Sequence, residues 1–218
     1  MSDVPEVTPA VGAEGTAAAP SAAAARKRPR PGERRVQILQ TLARMLEQPG
    51  AERITTAALA AKLEVSEAAL YRHFASKAQM FEGLIEFIES SVFTLVNQVI
   101  EREPSPALQA QKIALVLLQF GEKNPGMTRV MVGDALVFEH ERLSARMNQF
   151  FDRLESQLRQ SLRGAAEAAG SATPTVDAQV LASAITSLAV GRLQRYARSG
   201  FKRLPTEHLE PALQRLSA

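Results

Sequence analysis

The sequence predicts an all-α fold of about nine helices: a three-helix head near the N-terminus and a larger helical body after it. Three observations carry this. Alanine- and leucine-rich runs dominate the 218 residues, clusters of β-branched residues are few, and Trp is absent, a composition that favours helices over strands. Apolar residues recur at three- and four-residue spacing through the long segments. Ile54–Lys77 reads as two short helices around a tight turn, the arrangement in which a helix-turn-helix sets its second helix in the DNA major groove.

Residues 1–30 form an Ala/Pro-rich, low-complexity tail with the basic cluster Arg26-Lys27-Arg28-Pro29-Arg30-Pro31 at its end. Such a segment buries too little apolar surface to fold. The prolines bar a continuous helix through the cluster. It reads either as an arm along the DNA backbone or minor groove, or as a solvated linker. The first helix spans roughly Glu33–Gln48, with Val36, Leu39, Leu42, Ala43 and Leu46 facing inward, and Pro49-Gly50 ends it.

Thr55 or Thr56 caps the second helix, which runs to about Leu63, because a threonine hydroxyl accepts from the orphan amides of a first turn. Glu64 and Val65 make the turn, where glycine is the commoner residue near Glu64. Ser66 is a good N-cap for the third helix. Val65, Ala69, Leu70 and Phe74 then pack inward, leaving Ser66, Glu67, Ala68, Tyr71 and Arg72 on the outer side.

These outward residues suit DNA. Ala68 or Ala69 can touch a thymine methyl, and Ser66 can reach a base or a phosphate. Glu67 either accepts from a cytosine amino group or caps its own helix. Tyr71, His73 and Lys77 suit phosphate contacts, which fix register rather than sequence. Charge agrees: residues 26–82 hold eleven Lys or Arg against six Asp or Glu, a surplus of five, while the whole chain is only +3. A basic head on a near-neutral body is the electrostatic footprint of a nucleic-acid binder.

Other functions find little support. The chain has no Cys, which removes disulfides, thiolate metal sites and cysteine nucleophiles. Its three His lie far apart, and no phosphate-binding glycine loop or nucleophile motif occurs. His140 stands between Glu139 and Glu141, but adjacent helical residues point about 100° apart and do not form a ligand pair. No catalytic residue, metal ligand or cofactor is assigned. No apolar run approaches the roughly 20 residues that span a bilayer, and the N-terminus lacks an apolar signal core. A cytoplasmic, nucleoid-associated protein is expected.

In the body, a fourth helix starts near Ser76 and continues to about Arg102, before Pro104 and Pro106. Ala107–Glu122 gives a fifth, Gly121–Pro125 a corner, and Met127–Val132 a short sixth. Leu136–Leu162 reads as one long helix with Leu143, Met147, Phe150, Phe151, Leu154 and Leu158 inward. After a polar loop at Gly170–Pro174 come Val176–Arg198 and Thr206–Leu216. Val180, Leu181, Ala184, Ile185, Leu188, Ala189 and Leu193, with Gly191, make Val176–Arg198 a candidate half of a symmetric four-helix dimer interface or a core helix.

Val36–Glu82 resembles the DNA-binding domain of TetR-family regulators. The likeness rests on the threonine-capped second helix, Val65-Ser66, Ala69-Leu70-Tyr71-Arg72-His73-Phe74 and Ser76-Lys77. It implies that Tyr71 and Lys77 clamp the DNA backbone while Thr55 or Thr56 holds the phosphate at the other edge. It also implies a homodimer reading a near-palindromic site, with residues 31–80 as DNA-binding domain and 81–218 for dimerisation and partner binding.

Arg53–Glu89, Phe120–Arg129, Ala135–Leu143 and Arg146–Gln160 further resemble the branch of that family acting in nucleoid occlusion. This implies two DNA-bound dimers that antagonise the tubulin-like division GTPase FtsZ. Phe87, Lys123 and Asn124 are the candidate partner contacts, because apolar walls with a basic rim suit a mixed apolar and acidic peptide. Phe87 as a core residue and Asn124 as a helix cap are the plainer readings. The alternative function is a ligand-responsive repressor with Gln119 and Asn148 as the body's candidate polar groups.

Overall fold

The computed structural model describes residues 32–48 and 53–216, all helix, turn or loop. The basic cluster, the tail and Pro49-Gly50 lie outside the described residues.

Helix α1 covers Glu33–Leu46. Its buried face is Ile38, Thr41, Leu42, Ala43 and Leu46; Val36, expected inward, is 53% exposed. The stripe is turned so that Ile38 takes the core position and Leu39 sits at its edge. Helices α2 (Thr56–Lys62) and α3 (Glu67–Tyr71) follow. Helix α4 runs unbroken from Lys77 to Arg102, so it carries the chain from head into body without a joint.

Helix α5 spans Pro106–Lys123 and α6 spans Pro125–Met131. The expected corner at Gly121–Pro125 contracts to Asn124 alone, and Gly121 lies inside α5. Packing explains why. A Cβ on Gly121 would stand 2.5 Å from Leu193 Cδ2 and 2.9 Å from Thr128 Oγ1, so this glycine serves close helix approach rather than a turn.

The long helix expected at Leu136–Leu162 is shifted. A 3₁₀ turn at Asp134–Leu136 and an exposed Val137-Phe138 loop come first, and α7 covers Glu141–Ala168. His140 starts it, its Nδ1 accepting from the Arg142 amide at 3.3 Å. Helix α8 spans Pro174–Arg198 and packs extensively against α7, and α9 is Leu209–Leu216.

One connected core runs from Ile38 in α1 to Leu213 in α9. Helix α4 contributes Met80, Phe81, Leu84, Ile85, Ile88, Val92 and Val96, all buried. This helix is long and apolar enough, by length and composition, to cross a membrane, with a window of mean hydropathy 1.3. That corrects the expectation that no segment reaches the length. Here the helix packs on α1, α5, α6 and α7.

Head and body meet tightly at α1 and α6. A Cβ on Gly126 would fall 2.0 Å from the Ala43 carbonyl oxygen. Two arginine–glutamate pairs add to the α4–α7 contact: Arg142 Nε to Glu82 at 2.8 Å, and Arg146 with both Glu89 oxygens at 2.6 and 3.1 Å.

Candidate nucleic-acid interface

The reading unit is built by two caps and one strained turn. Thr55 is the N-cap of α2, its hydroxyl accepting from the Ala58 amide at 3.1 Å. Ser66 caps α3 in the same way, accepting from the Ala69 amide at 3.3 Å. Between them Glu64 adopts φ 54°, the left-handed region in which a Cβ is unfavourable. The glycine preference at this turn therefore has its cause in the observed backbone, although a glutamate occupies it.

Leu70 and Phe74 are each 1% exposed and fix the floor of α3, with Val65 partly buried beside them. Ser66, Glu67, Ala68, Tyr71, Arg72 and His73 all lie on the surface, and Ala69 is intermediate. Tyr71, at 46% exposure, is no core aromatic.

Thr56 has a different task from Thr55. Its hydroxyl donates to the Glu67 carboxylate at 2.5 Å, tying the start of α2 to the start of α3. Neither role expected for Glu67 includes this bond. The four-residue register of α2 hid it, because Thr56 and Glu67 are eleven positions apart and meet only across the turn.

Arg35 locks the far side. Its guanidinium donates to the His73 carbonyl at 3.1 Å and lies 4.2 Å over the Phe74 ring. This fixes the turn into α4, where Ser76 caps the helix by accepting from the Gln79 amide at 3.2 Å. Lys77, first residue of α4, does not extend freely into solvent. Its ammonium pairs with Glu139 from the loop before α7 and lies 5.7 Å from the Phe81 ring. Nothing in the spacing of the sequence signals that contact, which spans 62 positions.

The candidate partner residues lie on α4 and at the junction of α5 and α6. Phe87 is 48% exposed, and its ring lies 6.4 Å from that of the buried Phe120. Lys123 is exposed at the end of α5. Asn124 occupies the N-cap position of α6 but makes no cap bond there. Its amide donates instead to the Phe120 carbonyl at 2.8 Å, closing the end of α5. Of the two candidate polar groups for a small ligand, Gln119 is exposed. Asn148 lines an open groove with Ser144, Phe151, Asp152 and Val190.

The fold and this helix pair define a helix-turn-helix regulator of the TetR type. Residues 38–84 match the bacterial regulatory proteins of the tetR family, and residues 107–217 match the SlmA-like tetracyclin repressor-like C-terminal domain. A solved neighbour, the TetR family transcriptional regulator PfmR from Thermus thermophilus, shares the fold at TM-score 0.68 and 20% identity, over 83% of this chain and 96% of its own.

The chain belongs to the nucleoid occlusion factor SlmA family. It is 52% identical over 186 residues to nucleoid occlusion factor SlmA of Photobacterium profundum, covering 85% of this chain and 94% of that protein. To the same factor of Escherichia coli O9:H4 it is 51% identical, covering 81% and 89%. The family comprises DNA-binding regulators, not enzymes.

Proposed function

We propose that this protein is a DNA-activated antagonist of division: a homodimer that reads near-palindromic chromosomal sites and, when bound, opposes FtsZ polymer assembly over the nucleoid. The observation that carries it is the exposed face of Ser66, Glu67, Ala68, Tyr71 and Arg72 set on the buried floor of Leu70 and Phe74. Ser66, Glu67, Ala68 and Ala69 face the bases. Tyr71, His73 and Lys77 grip phosphates on one side, with Arg72 exposed beside them, and Thr55 or Thr56 holds the phosphate on the other; Thr55 is the better placed, because the Thr56 hydroxyl already donates to Glu67. Residues 31–80 act as the DNA-binding unit and 81–218 as the dimerisation and partner unit, with residues 1–30 as a tail. The protein works in the cytoplasm, on the nucleoid.

Dimerisation rests on α8. Val176, Val180, Ala184, Leu188 and Gly191 form a stripe along it; the two valines are 60% and 65% exposed, and a Cβ on Gly191 would meet nothing within 4 Å. That is room for a second copy's helix to approach closely. Twofold symmetry then presents two reading helices about one DNA turn apart.

The partner surface is Phe87 over Phe120, rimmed by Lys123 and Asn124. It suits the mixed apolar and acidic C-terminal peptide of FtsZ. The test is FtsZ polymer sedimentation with this protein, with and without its palindromic duplex. Strong inhibition only with DNA is expected. Equal assembly in both would leave the alternative, a ligand-responsive repressor, ahead; the groove beside Asn148 is the observation that favours it.

A further inference from the structure

Glu139 belongs to the body, yet it holds the head's phosphate lysine. Its side chain is only 8% exposed, that of Lys77 26%. Lys77 is its one side-chain partner among the described residues. The loop that delivers it is anchored on both sides. Gly133 (φ 85°) turns the chain out of α6, Ala135 and Leu136 are buried, and the Glu139 amide donates to the Leu136 carbonyl at 3.0 Å. After His140 starts α7, Arg142 and Arg146 pair with Glu82 and Glu89 of α4. The carboxylate is thus set by a loop fastened to the same helix that carries Lys77.

We propose that Glu139 is an internal stand-in for a DNA phosphate: in the DNA-free protein it occupies the Lys77 ammonium and withholds it from the duplex. The proposal rests on Lys77 gripping the backbone when DNA is bound. A lysine ammonium has three donors and no geometric fork, so it exchanges one anionic oxygen for another. The exchange leaves a buried carboxylate without its partner, which is costly, and sets a negative charge close to the backbone. Glu139 therefore lowers affinity for every duplex alike and does not choose sequence. Whatever moves the Val137–His140 loop changes DNA affinity through Lys77, and by linkage DNA moves that loop.

The test is a double-mutant cycle read as duplex affinity against salt, on palindromic and unrelated DNA. Glu139→Gln should tighten both by at least about fivefold and steepen the salt slope by up to about 0.9, the share of one phosphate contact. In the Lys77→Gln background the same change should do little. Glu139→Asp, which keeps the charge and shortens its reach, should tighten binding less than Glu139→Gln; circular dichroism confirms that each variant folds.

Equal tightening by Glu139→Gln in both backgrounds would mean general repulsion and would overturn the proposal. Weaker binding by Glu139→Gln with Lys77 present would overturn it too, because the carboxylate would then be presenting the lysine. Loss of any Lys77→Gln effect on its own would instead count against the backbone role of Lys77.

Discussion

Tyr71 and Phe74 stand three positions apart on one short helix and its end, one 46% exposed and the other 1%. The difference fixes what each can do. Phe74 holds α3 to the head, while Tyr71 is half exposed, so that a phosphate can accept from its hydroxyl. Tyr71→Ala should weaken all duplexes nearly equally, by about 1 kcal/mol for one neutral hydrogen bond, with little change in salt slope. Lys77→Ala should weaken them equally too, but flatten the slope by up to about 0.9. Fluorescence anisotropy over a salt series separates the two, and a re-ordered sequence preference in either variant would contradict the backbone assignment. Ser66→Ala removes the α3 cap and should cost about 1 kcal/mol of stability, read by chemical denaturation. The caps, the inward Leu70 and Phe74 and the outward face were all legible in sequence, because each follows from neighbours within four residues. The Thr56–Glu67 and Lys77–Glu139 contacts were not, because each joins segments that only the tertiary fold brings together.

At the scale of elements, the helices were legible and their junctions less so. Apolar periodicity located α4 and α8 closely. It overran the start of α7, where Val137 and Phe138 continue the apolar pattern but lie 70% and 65% exposed in a loop. Glycines misled in the opposite sense. Gly121 reads as a breaker and proves to be a packing residue inside α5. Gly126 has no slack at all: its missing Cβ would strike the Ala43 backbone, which cannot rotate away as a side chain can. Gly126→Ala should therefore destabilise the α1–α6 contact by about 1–3 kcal/mol, seen as a lower denaturation midpoint. An unchanged midpoint would mean that this approach is looser than it stands here.

The α4–α5 junction adds a pH dependence. Hydrogen bonds from Lys112 and from the Ser105 amide hold the Glu103 carboxyl below the usual glutamate range. A carboxyl held lower in the folded than in the unfolded state stabilises the fold above its unfolded value and loses that contribution as pH falls through the folded one. Glu103→Gln should thus reduce the acid sensitivity of the fold below the ordinary glutamate range and leave its dependence near neutrality unchanged. Denaturation midpoints of both proteins across acid pH check this.

The whole molecule couples these parts through one core that runs from α1 to α9. The head is not a bead on a string. Helix α4 passes through it into the body, α6 abuts α1, and the loop before α7 reaches Lys77. A protein built this way can transmit DNA occupancy to the Phe87 face, which lies on that same α4. Coupling of that kind is reciprocal. The most direct measurement is therefore the affinity of the dimer for its palindromic duplex, with and without a saturating synthetic peptide of the FtsZ C-terminus. Tighter DNA binding with the peptide is expected, abolished by Phe87→Ala or Lys123→Glu. Peptide binding that leaves DNA affinity unmoved would contradict it.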